Sequence, residues 1–137
     1  MKPTVDGSAV IFDLDGTLVD SAPDIASSMG HALRHVCRSA LSPAQIRSCI
    51  GNGAHCLVHR SLTGDVNGVA DDAAKAYFFD HYKNNVCRHS TPYTGVIETL
   101  HALQNDGYLL ACVTNKSSQF AEPLLTHLEL KNFFRLL

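Results

Sequence analysis

The chain has 137 residues, about the length of one ordinary domain. Hydrophobic residues at 45% and charged residues at 18% exclude wholesale disorder. Eleven Lys and Arg against thirteen Asp and Glu leave a net charge of −2, so no surplus of cations exists to neutralise a nucleic-acid backbone, and nucleic acid is excluded as a main partner.

Ala9–Phe12 is a short, continuous apolar run, the pattern of a parallel-sheet strand covered on both faces. It leads into Asp13-Leu14-Asp15-Gly16-Thr17-Leu18-Val19-Asp20-Ser21. Ser21 followed by Asp24 reads as a capping-box start, with Pro23 tolerated in the first turn. The helix then runs to about residue 38, with Ile25, Met29, Ala32, Leu33 and Val36 as its apolar stripe. Ser42, Pro43 and Gln45 open a second helix by the same logic, and Gly51-Asn52-Gly53 breaks it. A third helix is expected over about 54–62, a loop over 64–68, and a fourth helix over about 69–86 with Val69, Ala73, Ala76 and Tyr77 on one face.

Residues 91–95 read as a linker. A helix follows with Val96, Leu100 and Leu103 on its buried side, and Gly107 is placed to end it in a left-handed cap. Residues 108–113 form a second buried-strand candidate. A last helix is expected over about 118–130, kinked or delayed by Pro123. The order is strand, helical block, helix, strand, helix. It predicts an α/β fold, a Rossmann-like parallel core (1–21 and 91–137) interrupted after its first strand by an inserted helical cap (22–90).

No apolar run is long enough to span a bilayer, and Lys2 is followed by no secretory signal. The five cysteines (Cys37, Cys49, Cys56, Cys87, Cys112) are odd in number and form no C-x-x-C pair. They read as reduced thiols of a cytoplasmic protein, with no membrane partner. Eight histidines bring zinc into question, since His31 and His35, like His55 and His59, stand four apart. Neither pair sits in an H-E-x-x-H context, so both are expected on solvated surface.

The sharpest feature is Asp13 and Asp15, two residues apart where the first strand ends. That end of an open α/β sheet faces the ligand-binding crevice, and Gly16 lets the chain turn so that both carboxyls converge. Thr114 ends the other apolar strand. Its hydroxyl and the N–H groups after it join the same pocket if the two strands are neighbours.

The ten residues from Phe12 to Ser21 resemble the first motif of the haloacid dehalogenase-like phosphatases, and Val113-Thr114-Asn115-Lys116 resembles their second. More narrowly, Ile50-Gly51-Asn52-Gly53-Ala54, Leu57-Val58, Arg60 and the stretch from Pro92 to Leu100 are similar to bacterial phosphoglycolate phosphatases, with Thr94 standing where a proline is usual. The resemblance implies a two-step phosphoryl transfer, with Asp13 as nucleophile and Asp15 as general acid and base. It implies Mg²⁺ on the Asp13 carboxylate and the Asp15 carbonyl, with Thr114 and the Asn115 N–H holding the phosphoryl oxygens. The helical block becomes a mobile cap, and the substrate a small phosphorylated metabolite, 2-phosphoglycolate first. A sugar-phosphate phosphatase or mutase, a non-catalytic helical module that binds or dimerises, and a homo-oligomer stay open.

The family's downstream lysine and acidic G-D-x-x-x-D loop have no counterpart here, which reads as a truncated form with little turnover of its own. Lys116 is expected to face the cap or the surface rather than to substitute for that lysine. A phosphate beside two carboxylates carries repulsions of ~4 kcal/mol per pair at 4 Å and an effective dielectric of 20. Losing one compensating group therefore costs about a thousandfold in rate.

Overall fold

A computed structural model describes residues 7–64 and 71–137 of the chain. Strand β1 (Ala9–Phe12) lies parallel to β4 (Leu109–Cys112), with Phe12 opposite Cys112. Both expected strands are therefore neighbours, and their C-terminal ends fall side by side. Leu136 adds a parallel bridge to Ala111 on the other edge of β4. Between the strands come the short β2 (Val19–Asp20), α1 (Ala22–His35), α2 (Pro43–Cys49), α3 (Gly53–Thr63), α4 (Asp72–Asn85), the short β3 (Thr91–Pro92) and α5 (Val96–Asn105). Helix α6 (Ser118–His127) and a 3₁₀ turn (Lys131–Phe133) close the described chain.

The capping chemistry differs between helices of similar sequence. On α2 the capping box forms as expected: Ser42 Oγ accepts from the Gln45 N–H (3.3 Å) and Gln45 Oε1 from the Ser42 N–H (2.8 Å). On α1 it does not. The Ser21 hydroxyl donates to Asp15, and Asp24 is fully buried, accepting from the N–H groups of Arg88, His89 and Ser90 and from the Ser90 hydroxyl. A tertiary demand on both side chains outweighs the local one. Asp24 thereby fastens the chain where it leaves the helical block to the start of the first helix of that block.

The 91–95 linker is partly a strand, because β3 pairs antiparallel with β2. Two residues on each side carry no alternation from which such a ribbon can be read. Gly107 (φ 89°) does form the left-handed end of α5. Helix α6 runs through Pro123 and ends at His127, three residues short of the expected end, where Glu129 turns to φ 58°.

In α4 the buried face is Ala74, Phe78 and Tyr82, while Ala73, Ala76 and Tyr77 are exposed, and Val69 lies outside the described residues, as do 65–68 of the expected loop. The i, i+4 row carrying Phe78 and Tyr82 offers far more apolar area than the alanine row, and burial follows area. Phe78 stacks on Tyr82 (5.3 Å), Phe79 on Phe120 (5.4 Å), and Tyr82 meets Phe120 (4.9 Å), so this aromatic group joins α4 to α6.

The expectation that both strands are covered on two faces fails. Ile11 (66% exposed) and Val113 (63%) stand open on one face of the sheet, because the described helices pack its other side. The core is one continuous cluster from Leu14 to Leu130, to which the sheet and all of α1 to α6 contribute.

Candidate active site

The tip of β1 delivers Asp13 and Asp15, and the tip of β4 delivers Thr114, Asn115 and Lys116. All five line a single cleft, roofed by Ile25, Ile50, Gly53, Leu57, Phe78 and Tyr82 from the helical block. The turn after β1 is tight: the Leu14 carbonyl accepts from the N–H groups of Thr17, Leu18 and Val19. Gly16, at φ 80°, makes that turn possible without side-chain strain. The Asp15 carbonyl takes no part in it and accepts no hydrogen bond among the described residues.

One Asp13 oxygen accepts from the Leu14 N–H (2.8 Å), and the carboxylate is otherwise exposed to the cleft. The Thr114 hydroxyl accepts from the Lys116 N–H (3.1 Å). The Asn115 side chain reaches across to the helical block and donates to the Gly51 carbonyl (2.8 Å), while its own backbone N–H makes no hydrogen bond among the described residues. Gly53 packs so closely here that a Cβ would sit 3.2 Å from the Asn115 carbonyl oxygen. The two open oxygens, on Asp13 and the Asp15 carbonyl, are hard donors of the kind a small divalent cation takes when phosphate and water complete its shell. No group of three or more His, Cys, Asp or Glu side chains that could hold a metal occurs among the described residues.

Lys116 is not on the surface. Its side chain is only 5% exposed, its Nζ lies 2.9 and 3.2 Å from the two Asp15 oxygens, and it sits 5.0 Å from the centre of the Tyr82 ring. It does face the cap, through Tyr82, but it is also the one cation lining the cleft among the described residues. Burial holds its ammonium below the ordinary lysine range, and Asp15 only partly opposes that. The negative character of the site also reaches Cys112: burial, then the charges of Asp13 and Asp15, push its thiol up to about 11.

The histidine pairs lie apart from this cleft. His59 is buried, not solvated, with Nε2 3.2 Å from the Thr63 hydroxyl. His31 and His35 pack against each other, His31 stacks on His81 (4.4 Å) and His35 on Tyr77 (4.4 Å), so they line the α1–α4 seam. Arg60, part of the resemblance to phosphoglycolate phosphatases, does not line the cleft; its Nε is buried with no partner among the described residues. The residues that sequence reasoning missed are Tyr82, hidden by the misjudged face of α4, and Ser21, read as a helix cap.

Residues 10–137 match the family model described as haloacid dehalogenase-like hydrolase. The chain belongs to the haloacid dehalogenase-like hydrolases. Within the family it is 41% identical over 133 residues to a phosphoglycolate phosphatase of Thiobacillus denitrificans, covering 94% of this chain and 59% of that protein. It is 42% identical over 130 residues to one of Nitrosospira multiformis, covering 92% and 57%. Among solved structures, a predicted phosphoglycolate phosphatase from Haemophilus somnus superposes with a TM-score of 0.86 at 36% identity, over 95% of this chain and 61% of that one. A predicted phosphatase from Clostridium acetobutylicum gives 0.80 at 25%, over 95% and 59%. This haloacid dehalogenase-like chain thus spans about three-fifths of the length of such relatives and corresponds to their N-terminal portion. Among its described residues no helix is long and apolar enough to cross a membrane.

Proposed function

We propose that this chain carries the nucleophile half of a phosphoglycolate phosphatase-like site, which cleaves a small phosphomonoester through an aspartyl phosphate. The observation that carries the reading is the convergence of Asp13, Asp15, Thr114 and Asn115 on one cleft. Identity to proteins named phosphoglycolate phosphatase supports the substrate.

In this reading a free Asp13 oxygen attacks phosphorus, and the bond from phosphorus to the ester oxygen breaks. Asp15, protonated for that step, gives its proton to the departing alkoxide. Water then attacks the phosphorus of the aspartyl phosphate and passes a proton to Asp15, which releases inorganic phosphate and restores the Asp13 carboxylate. The Thr114 hydroxyl and the Asn115 N–H hold the phosphoryl oxygens. Mg²⁺, held by the Asp13 carboxylate and the Asp15 carbonyl, would supply charge neutralisation for the phosphoryl oxygens. Residues 22–90 act as a mobile cap that excludes water, with residues 1–21 and 91–137 as the core. The apolar roof and the Asn115–Gly51 contact suit such closure.

Among the described residues no acid besides Asp13 and Asp15 lines the cleft, so little fixes a metal or offsets phosphate charge beyond Lys116. The 137-residue chain with Mg²⁺ and 2-phosphoglycolate is expected to release phosphate about a thousandfold or more below ordinary enzyme rates, and Asp13→Asn is expected to remove what remains. Ordinary rates would contradict the expected deficit. Release that survives Asp13→Asn would contradict the nucleophile.

A further inference from the structure

An Asp15 carboxylate clasped by an ammonium and by the Ser21 hydroxyl is surrounded by donors. Beside Lys116 stands Tyr82, which lines the same cleft. Its hydroxyl is buried and has no hydrogen-bond partner among the described residues. A buried donor left unsatisfied is costly, and it is satisfied when an acceptor enters the cleft.

We propose that the Lys116 ammonium and the Tyr82 hydroxyl together form a subsite for a carboxylate on the substrate, close to its phosphate, so that binding exchanges the Lys116–Asp15 pair for a Lys116–substrate pair. The proposal rests on the phosphatase reading above and deepens it. Lys116 and Tyr82 then determine specificity: a phosphomonoester lacking a second anion leaves Asp15 clasped. Burial raises the Tyr82 phenol well above its ordinary value, with the Asp15 and Asp24 charges adding to the effect, so it stays a proton donor. Apolar walls at Ile25, Leu57, Phe78 and Phe120 keep water from competing for the ammonium.

Calorimetry on the full chain with Mg²⁺ tests this, comparing 2-phosphoglycolate with ethyl phosphate, which keeps the phosphate and lacks the carboxylate. Wild type is expected to prefer 2-phosphoglycolate by about 10- to 100-fold, the range of one charged hydrogen-bonded contact. Lys116→Met is expected to bring the two within about threefold, and Tyr82→Phe to cut the preference about three- to tenfold. A wild-type ratio near one, or a preference that survives Lys116→Met, overturns the subsite while leaving phosphate binding intact. If neither ester binds wild type, the phosphatase reading falls and the subsite with it. If circular dichroism finds Lys116→Met unfolded, Tyr82→Phe decides: a reduced preference supports the subsite and an unchanged one overturns it.

Discussion

Asp13 and Asp15 owe their placement to a backbone turn, but their surroundings differ sharply. Asp13 meets one backbone N–H and open cleft, whereas Asp15 meets Ser21 and Lys116. The proposed nucleophile needs a free lone pair, which Asp13 keeps, whereas both Asp15 oxygens are held by neighbouring donors. Burial, and after it the same charges, act on Cys112, whose thiol keeps its proton in the fold up to about 11 while the unfolded chain releases it from about 9.0. The folded state then binds more protons than the unfolded state across that window, so stability falls as pH rises through it. Urea melts of wild type and Cys112→Ala at both ends of the window check the sign: the variant's midpoint is expected to fall less on going alkaline. An equal fall in both proteins would contradict it.

At the scale of elements, the helical block meets the rest of the chain through specific contacts, among them the aromatic group of α4 and α6 and Asn115 on Gly51, while the Asp24 clasp on residues 88–90 ties the two ends of the block together. Gly53 is held both by its left-handed φ of 83° and by the nearby Asn115 carbonyl, whereas Gly107, at φ 89°, has nothing among the described residues within 4 Å of its missing Cβ. Gly107→Ala is expected to cost about 1–2 kcal/mol from backbone strain alone. Gly53→Ala adds a steric push against β4's tip, so it is expected to cost more and to weaken 2-phosphoglycolate binding, which Gly107→Ala leaves unchanged. Denaturant melts with a binding titration check both, and equal behaviour of the two variants would contradict the contact.

Across the whole molecule, what the sequence made legible was whatever rests on local pattern. The strand ends carrying Asp13, Asp15 and Thr114 were readable because continuous apolar runs stop there, and the Ser42 capping box because its partners lie three residues apart. Whatever depends on distant partners was not. Lys116 reads in the sequence as a cap-facing or surface lysine, and its burial against Asp15 and Tyr82 depends on partners brought from elsewhere in the chain. His59 looked solvated because helical spacing does not reveal which neighbours bury it. The pair β2–β3 was too short for any periodicity, and the open face of β1 and β4 depends on which helices cover the sheet.

The central claim is that the tips of β1 and β4 together hold a phosphoryl group, and it is open to a measurement that needs no turnover. Amide resonances of the chain titrated with 2-phosphoglycolate and Mg²⁺ are expected to shift saturably at Leu14, Asp15, Asn115 and Lys116, and to stay fixed along the groove of α5 and the 3₁₀ turn near His101 and Phe133. Saturable shifts confined to that groove, or no saturable shift at the two strand tips, would contradict it.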